Sequence, residues 1–116
     1  MTLGQTQRVF TRCIADLIVY AYAQGYELTF AETYRTPEQA RLMAMAGSGI
    51  VNSNHIRRLA VDLNLFRDGK WLTRTEDHAP LGAYWKTLHP LARWGGDFGG
   101  KRPDGNHYSF EWEGVQ

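Results

Sequence analysis

His55 and Asp62 stand seven positions apart, and His107 follows at the start of the last patterned segment of the chain. Two imidazoles and one carboxylate form a ligand trio that suits Zn²⁺. Three protein ligands leave a fourth position for water, which distinguishes a catalytic zinc site from a closed structural one. Asp104 stands three residues before His107, across the turn Asp104-Gly105-Asn106. A carboxylate there can face such a site without ligating, take a proton from the water and pass it to a leaving amine. Spacing alone leaves an alternative open. With four His and twelve acidic residues, such pairings also arise by chance.

For these residues to meet, two strands must lie side by side. Leu59–Phe66 alternates, with Leu59, Val61, Leu63 and Leu65 on one face and Ala60, Asp62, Asn64 and Phe66 on the other. His55 lies just before this strand. Asp68-Gly69 is a hairpin signal, and Lys70–Thr73 is the expected return strand. His107–Trp112 alternates again as the final strand. Upstream, Val9, Phe10, Cys13, Ile14, Leu17, Ile18 and Ala21 recur at three- and four-residue steps, predicting a helix from Gln5 to Gln24 ended by Gly25. Tyr26–Tyr34 reads as a strand. Thr36-Pro37-Glu38-Gln39 starts a second helix, with Gln39 closing a capping box, that runs to Ala46 and stops at Gly47. Ser48–Asn54 and the glycine-rich Trp94–Gly105 read as loops. A third helix covers Pro80–Leu88 and ends before Pro90. The expected class is α+β, a small antiparallel sheet with helices packed outside it.

The 116 residues, 43% hydrophobic and 22% charged, predict one domain over residues 1–116. Fifteen aromatic residues and a net charge of +1 exclude a disordered chain. The same charge offers little counterion-release affinity, so no nucleic-acid partner is expected. Ten of the thirteen basic residues are Arg, which suits planar recognition of carboxylate or phosphate. Asp16 and Gln24 interrupt the longest apolar run, so no membrane insertion is expected. The N-terminus lacks the basic-then-apolar pattern of a signal peptide. Cys13 is the single cysteine, which excludes an intramolecular disulfide and a thiolate zinc cluster.

Ser53-Asn54-His55-Ile56-Arg57-Arg58-Leu59-Ala60-Val61-Asp62 resembles the Ser-x-His-x6-Asp metal motif of a zinc peptidase family. That family contains the D-alanyl-D-alanine carboxypeptidases and dipeptidases, the vancomycin-resistance enzymes among them, and the phage L-alanyl-D-glutamate endopeptidases. Asp104-Gly105-Asn106-His107-Tyr108 is similar to its second motif, an acid-x-x-His followed by an aromatic residue. Tyr34-Arg35-Thr36-Pro37-Glu38-Gln39 resembles its arginine segment, and Trp94-Gly95-Gly96-Asp97-Phe98 its tryptophan-glycine stretch. The resemblance implies a D,D-peptidase or hedgehog-like fold with zinc on the sheet, bound by His55, Asp62 and His107. It implies Asp104 as general base, Arg35 on the substrate and its developing oxyanion, and Ser53 on the substrate peptide. Trp94 is the one tryptophan expected near the pocket.

The implied activity is hydrolysis of peptidoglycan stem peptides. The run Arg58–Phe66 looks like the short phage lysis peptidases, which favours the L-alanyl-D-glutamate bond and a monomeric endolysin. Such an enzyme waits in the host cytoplasm until a separate pore releases it to the wall. A D-alanyl-D-alanine carboxypeptidase or dipeptidase, or a zinc-stabilised binding module without turnover, are the alternatives. Arg58 departs from the family's usual Gly, and an Arg is poor at positive φ, so a different local path is expected there. Plainer roles stand beside these. Arg35 can pair with Glu32 or Glu38 on the surface, and Ser53 can be a turn or cap residue. Asp97 orders its own loop. His78 and His89 are expected as surface or capping groups. Trp71, Trp85, Trp112 and Tyr108 are expected to pack in the core and sheet.

Overall fold

The computed structural model describes residues 1–47, 51–99 and 103–116; the rest of the two expected loops, at 48–50 and 100–102, lies outside the described residues. Helix α1 spans Leu3–Ala23, two residues earlier than its apolar period suggests. The cause is a reciprocal cap. The Gln5 N–H donates to Thr2 Oγ1 at 3.1 Å, and the Thr2 N–H donates to Gln5 Oε1 at 2.8 Å. Phe10, Cys13, Ile14, Leu17 and Ala21 form its buried face, and Gly25 ends it with φ at +87°. Helix α2 covers Pro37–Met45, and Thr36 Oγ1 accepts from the Gln39 N–H at 3.0 Å, half of the expected capping box. Helix α3 covers Ala79–Leu88.

Among the described residues the sheet has five strands, β1 Glu27–Phe30, β2 Ala60–Arg67, β3 Lys70–Leu72, β4 Ala92–Trp94 and β5 His107–Phe110, all paired antiparallel. The order runs β1-β2-β5-β4, with β3 also on β2. Leu59, Val61, Leu63 and Leu65 are buried against α1 and α3 residues such as Leu17, Leu81 and Trp85, as the alternation predicts. The opposite face, with Asp62, Asn64 and Phe66, is only partly covered. That asymmetry pins the register of β2, because a one-residue slip would bury its polar set. Asp68 and Gly69 both take positive φ, as a tight hairpin turn requires.

Several expectations are corrected. Strand β4 falls where a loop begins by composition; three residues with Arg93 between Ala92 and Trp94 have no periodic signal, and pairing with β5 alone defines them. Strand β1 stops at Phe30 rather than Tyr34. Strand β5 stops at Phe110 rather than Trp112, which instead bridges to Val115. Trp85 is core and Trp112 packs against it, but Trp71 is 60% exposed. It lies across from Phe66, on the face that period two turns away from the helices.

His78 is also corrected. It ends a one-turn 3₁₀ segment, Thr75–His78, and is 3% exposed. Its Nδ1 and the Tyr108 hydroxyl are hydrogen-bonded at 2.8 Å, across 30 residues of sequence that local pattern cannot read. Burial drives the His78 pKa down to about 4, against a weak opposing pull from Asp77. The folded value lies below the unfolded one, so the native state binds fewer protons between them. The contribution of His78 to stability is therefore full above pH 6.5 and is lost as pH falls toward 4, by about 3 kcal/mol in all. Denaturant unfolding of wild type and His78→Asn from pH 7.5 to 4.5 is expected to show wild type ahead at neutral pH and the gap narrowing with acid. A constant gap would remove His78 as the titrating group.

Candidate metal centre

His55 sits on a single 3₁₀ turn, Asn54–Arg57, directly before β2. Ser53 caps that turn, its Oγ accepting from the His55 N–H at 3.2 Å. Asn54 is fully buried and donates from Nδ2 to the carbonyls of Phe110 at 2.8 Å and Val115 at 2.7 Å. The turn carrying His55 is thereby tied to the end of β5, the strand that begins with His107. Arg58 closes the turn at φ +55°, ψ +36°, so the left-handed step that a Gly would supply is present with Arg in place. The Arg58 guanidinium lies 4.0 Å over the Tyr34 ring, a cation–π contact that offsets part of the backbone cost.

Asp62 and His107 are direct partners across β2 and β5. His55 Nε2 lies 3.3 Å and His107 Nδ1 3.2 Å from Asp62 Oδ1, and the three ligand atoms fall within 4.8 Å of one another. Ligand atoms around a tetrahedral zinc with bonds near 2.1 Å sit about 3.4 Å apart, so the two separations to Asp62 Oδ1 match the edges of such a site. His55 Nδ1 lies 3.2 Å from the Thr33 carbonyl; with its proton given there, Nε2 keeps a lone pair for a metal. Burial pushes the Asp62 carboxyl up, but hydrogen bonds from His107 and His55, and then their charge, outweigh it and hold the pKa at about 2. Burial lowers His55, yet the Asp62 hydrogen bond and charge, the Thr33 carbonyl and Glu32 raise it overall. The donor set fits zinc in type, number and spacing.

Asp104 arrives on the loop before β5. Its N–H donates to the Gly95 carbonyl at 2.9 Å, and its carbonyl accepts from the His107 N–H at 3.1 Å. A Cβ on residue 95 would lie 2.0 Å from the Asp104 carbonyl oxygen and 2.8 Å from His107 Cβ, so only Gly lets these segments close on one another. Although the residue is exposed overall, partial burial of the carboxyl, then the negative charge of Asp62, raise its pKa against the pull of His107 and His55.

Arg35 reaches the same place. It is 7% exposed, and its N–H donates to the His55 carbonyl at 3.2 Å. Its guanidinium grips Glu32 with two bonds, Nε to Oε2 at 3.0 Å and Nη2 to Oε1. The pairing with Glu32 is as one expectation had it; the surface setting is not. Glu32 Oε1 stands 3.5 Å from His55 Nε2, a neighbour that sequence spacing does not reveal. A bulge explains it. The Ala31 N–H donates to the Asp62 carbonyl and the Asp62 N–H to the Glu32 carbonyl, so two residues face one. That extra residue lies beside the Glu32 carboxylate's approach to His55.

Trp94 is corrected. Its ring is 8% exposed within the core, and a Cβ on residue 96 would lie 2.2 Å from it. Its Nε1 donates to the Gly105 carbonyl at 2.7 Å. It therefore supports the Asp104–His107 loop from beneath and does not line a substrate surface.

The sequence model of the family described as D-alanyl-D-alanine carboxypeptidase matches residues 46–110. Among solved structures, the Serratia marcescens L-Ala D-Glu endopeptidase ChiX superposes with a TM-score of 0.74 at 20% identity, covering 93% of this chain and 85% of that one. The vancomycin resistance D,D-pentapeptidase VanY from the VanB-type resistance cassette, a mutant bound to Zn(II), superposes with a TM-score of 0.62 at 22% identity. There the coverage is 87% of this chain and 70% of that one. Both likenesses show the same fold. No curated protein sequence matches.

The Glu32–Arg35 pair makes a stability prediction. Glu32→Ala leaves a buried guanidinium without its partner and is expected to cost about 1–3 kcal/mol. Glu38→Ala, at an exposed position, is expected to cost at most about 0.5 kcal/mol. Equal losses in denaturant unfolding would mean that Glu32 does not anchor Arg35.

Proposed function

The chain belongs to the D-alanyl-D-alanine carboxypeptidase family of zinc peptidases, and from that membership we propose that it hydrolyses the L-alanyl-D-glutamate bond of peptidoglycan stem peptides. The observation that carries the reading is the meeting of His55, Asp62 and His107 beside Asp104 and Arg35. Zinc held by the first three would polarise the scissile carbonyl and make an attacking water more acidic. Asp104 takes the proton of that water on its carboxylate and returns it to the leaving amine nitrogen. Its raised pKa suits both transfers better than an ordinary carboxylate would. Arg35, held by Glu32, presents a fixed positive charge to the oxygen on which negative charge grows. Ser53 Oγ already accepts from the His55 N–H, so its own proton remains to donate to a substrate carbonyl.

The bond assignment is supported by the resemblance of the Arg58–Phe66 run to phage lysis peptidases and by the fuller fold overlap with the endopeptidase than with the D,D-pentapeptidase. In this reading the protein is a monomeric endolysin, released from the host cytoplasm by a separate pore, with no nucleic-acid partner. No helix among the described residues is long and apolar enough to cross a membrane.

Two outcomes test the reading. Chelation is expected to abolish hydrolysis of purified sacculi and added zinc to restore it; digests read by mass spectrometry then show new amino-terminal glutamate. Release of D-alanine instead would transfer the assignment to the carboxypeptidase alternative, and activity in a metal-free preparation would defeat both. Asp104→Ala is expected to retain bound zinc and its circular dichroism while losing roughly 10²-fold or more in kcat. Undiminished turnover in that variant would take Asp104 out of the mechanism.

A further inference from the structure

One edge of β2 changes partner along its length. Residues 60–62 pair with β5 and residues 65–67 with β3, leaving Leu63 and Asn64 between two neighbours. The gap opens into a cleft of about 330 Å³ whose lining includes Asn64, Trp71, Thr73, Thr75 and Asp104. Register decides which face this cleft serves. Trp71 lies directly opposite Phe66, and Phe66, Asn64 and Asp62 share one face by the two-residue period of the strand. The exposed indole therefore stands on the face that carries the metal ligands. Four residue steps along the strand separate Asp62 from Phe66, roughly 13 Å at about 3.3 Å each. Asp104 joins the two regions, since it lines the cleft and bonds to His107 through its backbone.

A large aromatic face left open to water beside amides and hydroxyls is matched to a ligand that is apolar on one side and polar around its rim. We propose that this cleft is a saccharide subsite, in which Trp71 packs against the apolar face of an amino-sugar ring while Thr73 and the Oδ1 of Asn64, whose Nδ2 already donates to Thr29 Oγ1 at 3.1 Å, meet its hydroxyl rim. The inference rests on the proposed cleavage of the first stem-peptide bond. A stem peptide cut there still carries its sugar one residue from the scissile bond, and the span of roughly 13 Å accommodates an alanyl residue, the lactyl ether and the ring. The carboxylates of the peptide's other arm fit the cleft less well. Among the described residues Arg74 is the guanidinium that lines it, and Glu76 at 3.4 Å and Asp77 at 3.9 Å already engage it.

The test compares one stem peptide in two forms, free and attached to its amino sugar, with zinc-loaded wild type, Trp71→Ala and Trp71→Phe. Wild type is expected to favour the saccharide-linked form in kcat/KM. Trp71→Ala is expected to lose about five- to tenfold on that form, mainly in KM, and to stay within twofold on the free peptide. Trp71→Phe recovers most of the loss. An equal loss on both forms, or no loss on either, overturns the subsite. The bond cut in the free peptide, identified by mass spectrometry, judges the proposed function separately: release of D-alanine would overturn the bond assignment and the span with it, whereas amino-terminal glutamate with no preference between the two forms would overturn the subsite alone. Calorimetry on zinc-loaded Asp104→Ala supplies a readout without turnover. The saccharide-linked form must bind more tightly than the free peptide, and Asp104→Ala/Trp71→Ala must erase the difference.

Discussion

Asp62 faces His107 across an antiparallel pair, and side chains in such a pair share a face only in one register. A shift of one residue would turn the carboxylate toward the helices and leave the imidazole alone. The apolar set Leu59, Val61, Leu63 and Leu65 forbids that shift, because it would drive Asp62 and Asn64 into the core. The same burial that holds the fold together thus holds two of the three candidate ligands at 3.2 Å. The third comes from outside the sheet, and Asn54 secures it by spanning from the His55 turn to the carbonyls at the far end of β5.

Charge is concentrated on one side of this arrangement. Asp62, Glu32 and Asp104 bring three carboxylates together, while Arg35 is the buried guanidinium among them. Such a cluster is tolerable in a folded chain only when cations offset it. Arg35 takes both oxygens of Glu32, and the two imidazoles take Asp62, while partial burial and then the charge of Asp62 raise the pKa of Asp104. The division of labour between a strongly acidic ligand and a more basic neighbour follows from these neighbours rather than from residue type.

Two tryptophans show how position on the sheet separates support from recognition. Trp94 is wedged against glycines in the core and holds a loop carbonyl. Trp71, on the short outer strand, is largely exposed and faces the same side as Asp62. Composition treats them alike, and only the pleat distinguishes them.

The sequence by itself determined the α+β class, the alternation of β2, the hairpin at Asp68-Gly69, the helix caps at Thr36 and Gly25, and the three side chains, His55, Asp62 and His107, that converge. These are local signals, set by period, turn chemistry and motif, and they survive in any fold that uses them. Tertiary structure alone decided the rest. Strand β4 exists because β5 offers it hydrogen bonds, the bulge at Ala31–Glu32 lies beside the approach of Glu32 to His55, and His78 is buried because Tyr108 reaches it from 30 residues away. Each depends on partners distant in sequence, and a backbone hydrogen bond or a buried hydroxyl leaves no mark in the residues on either side of it.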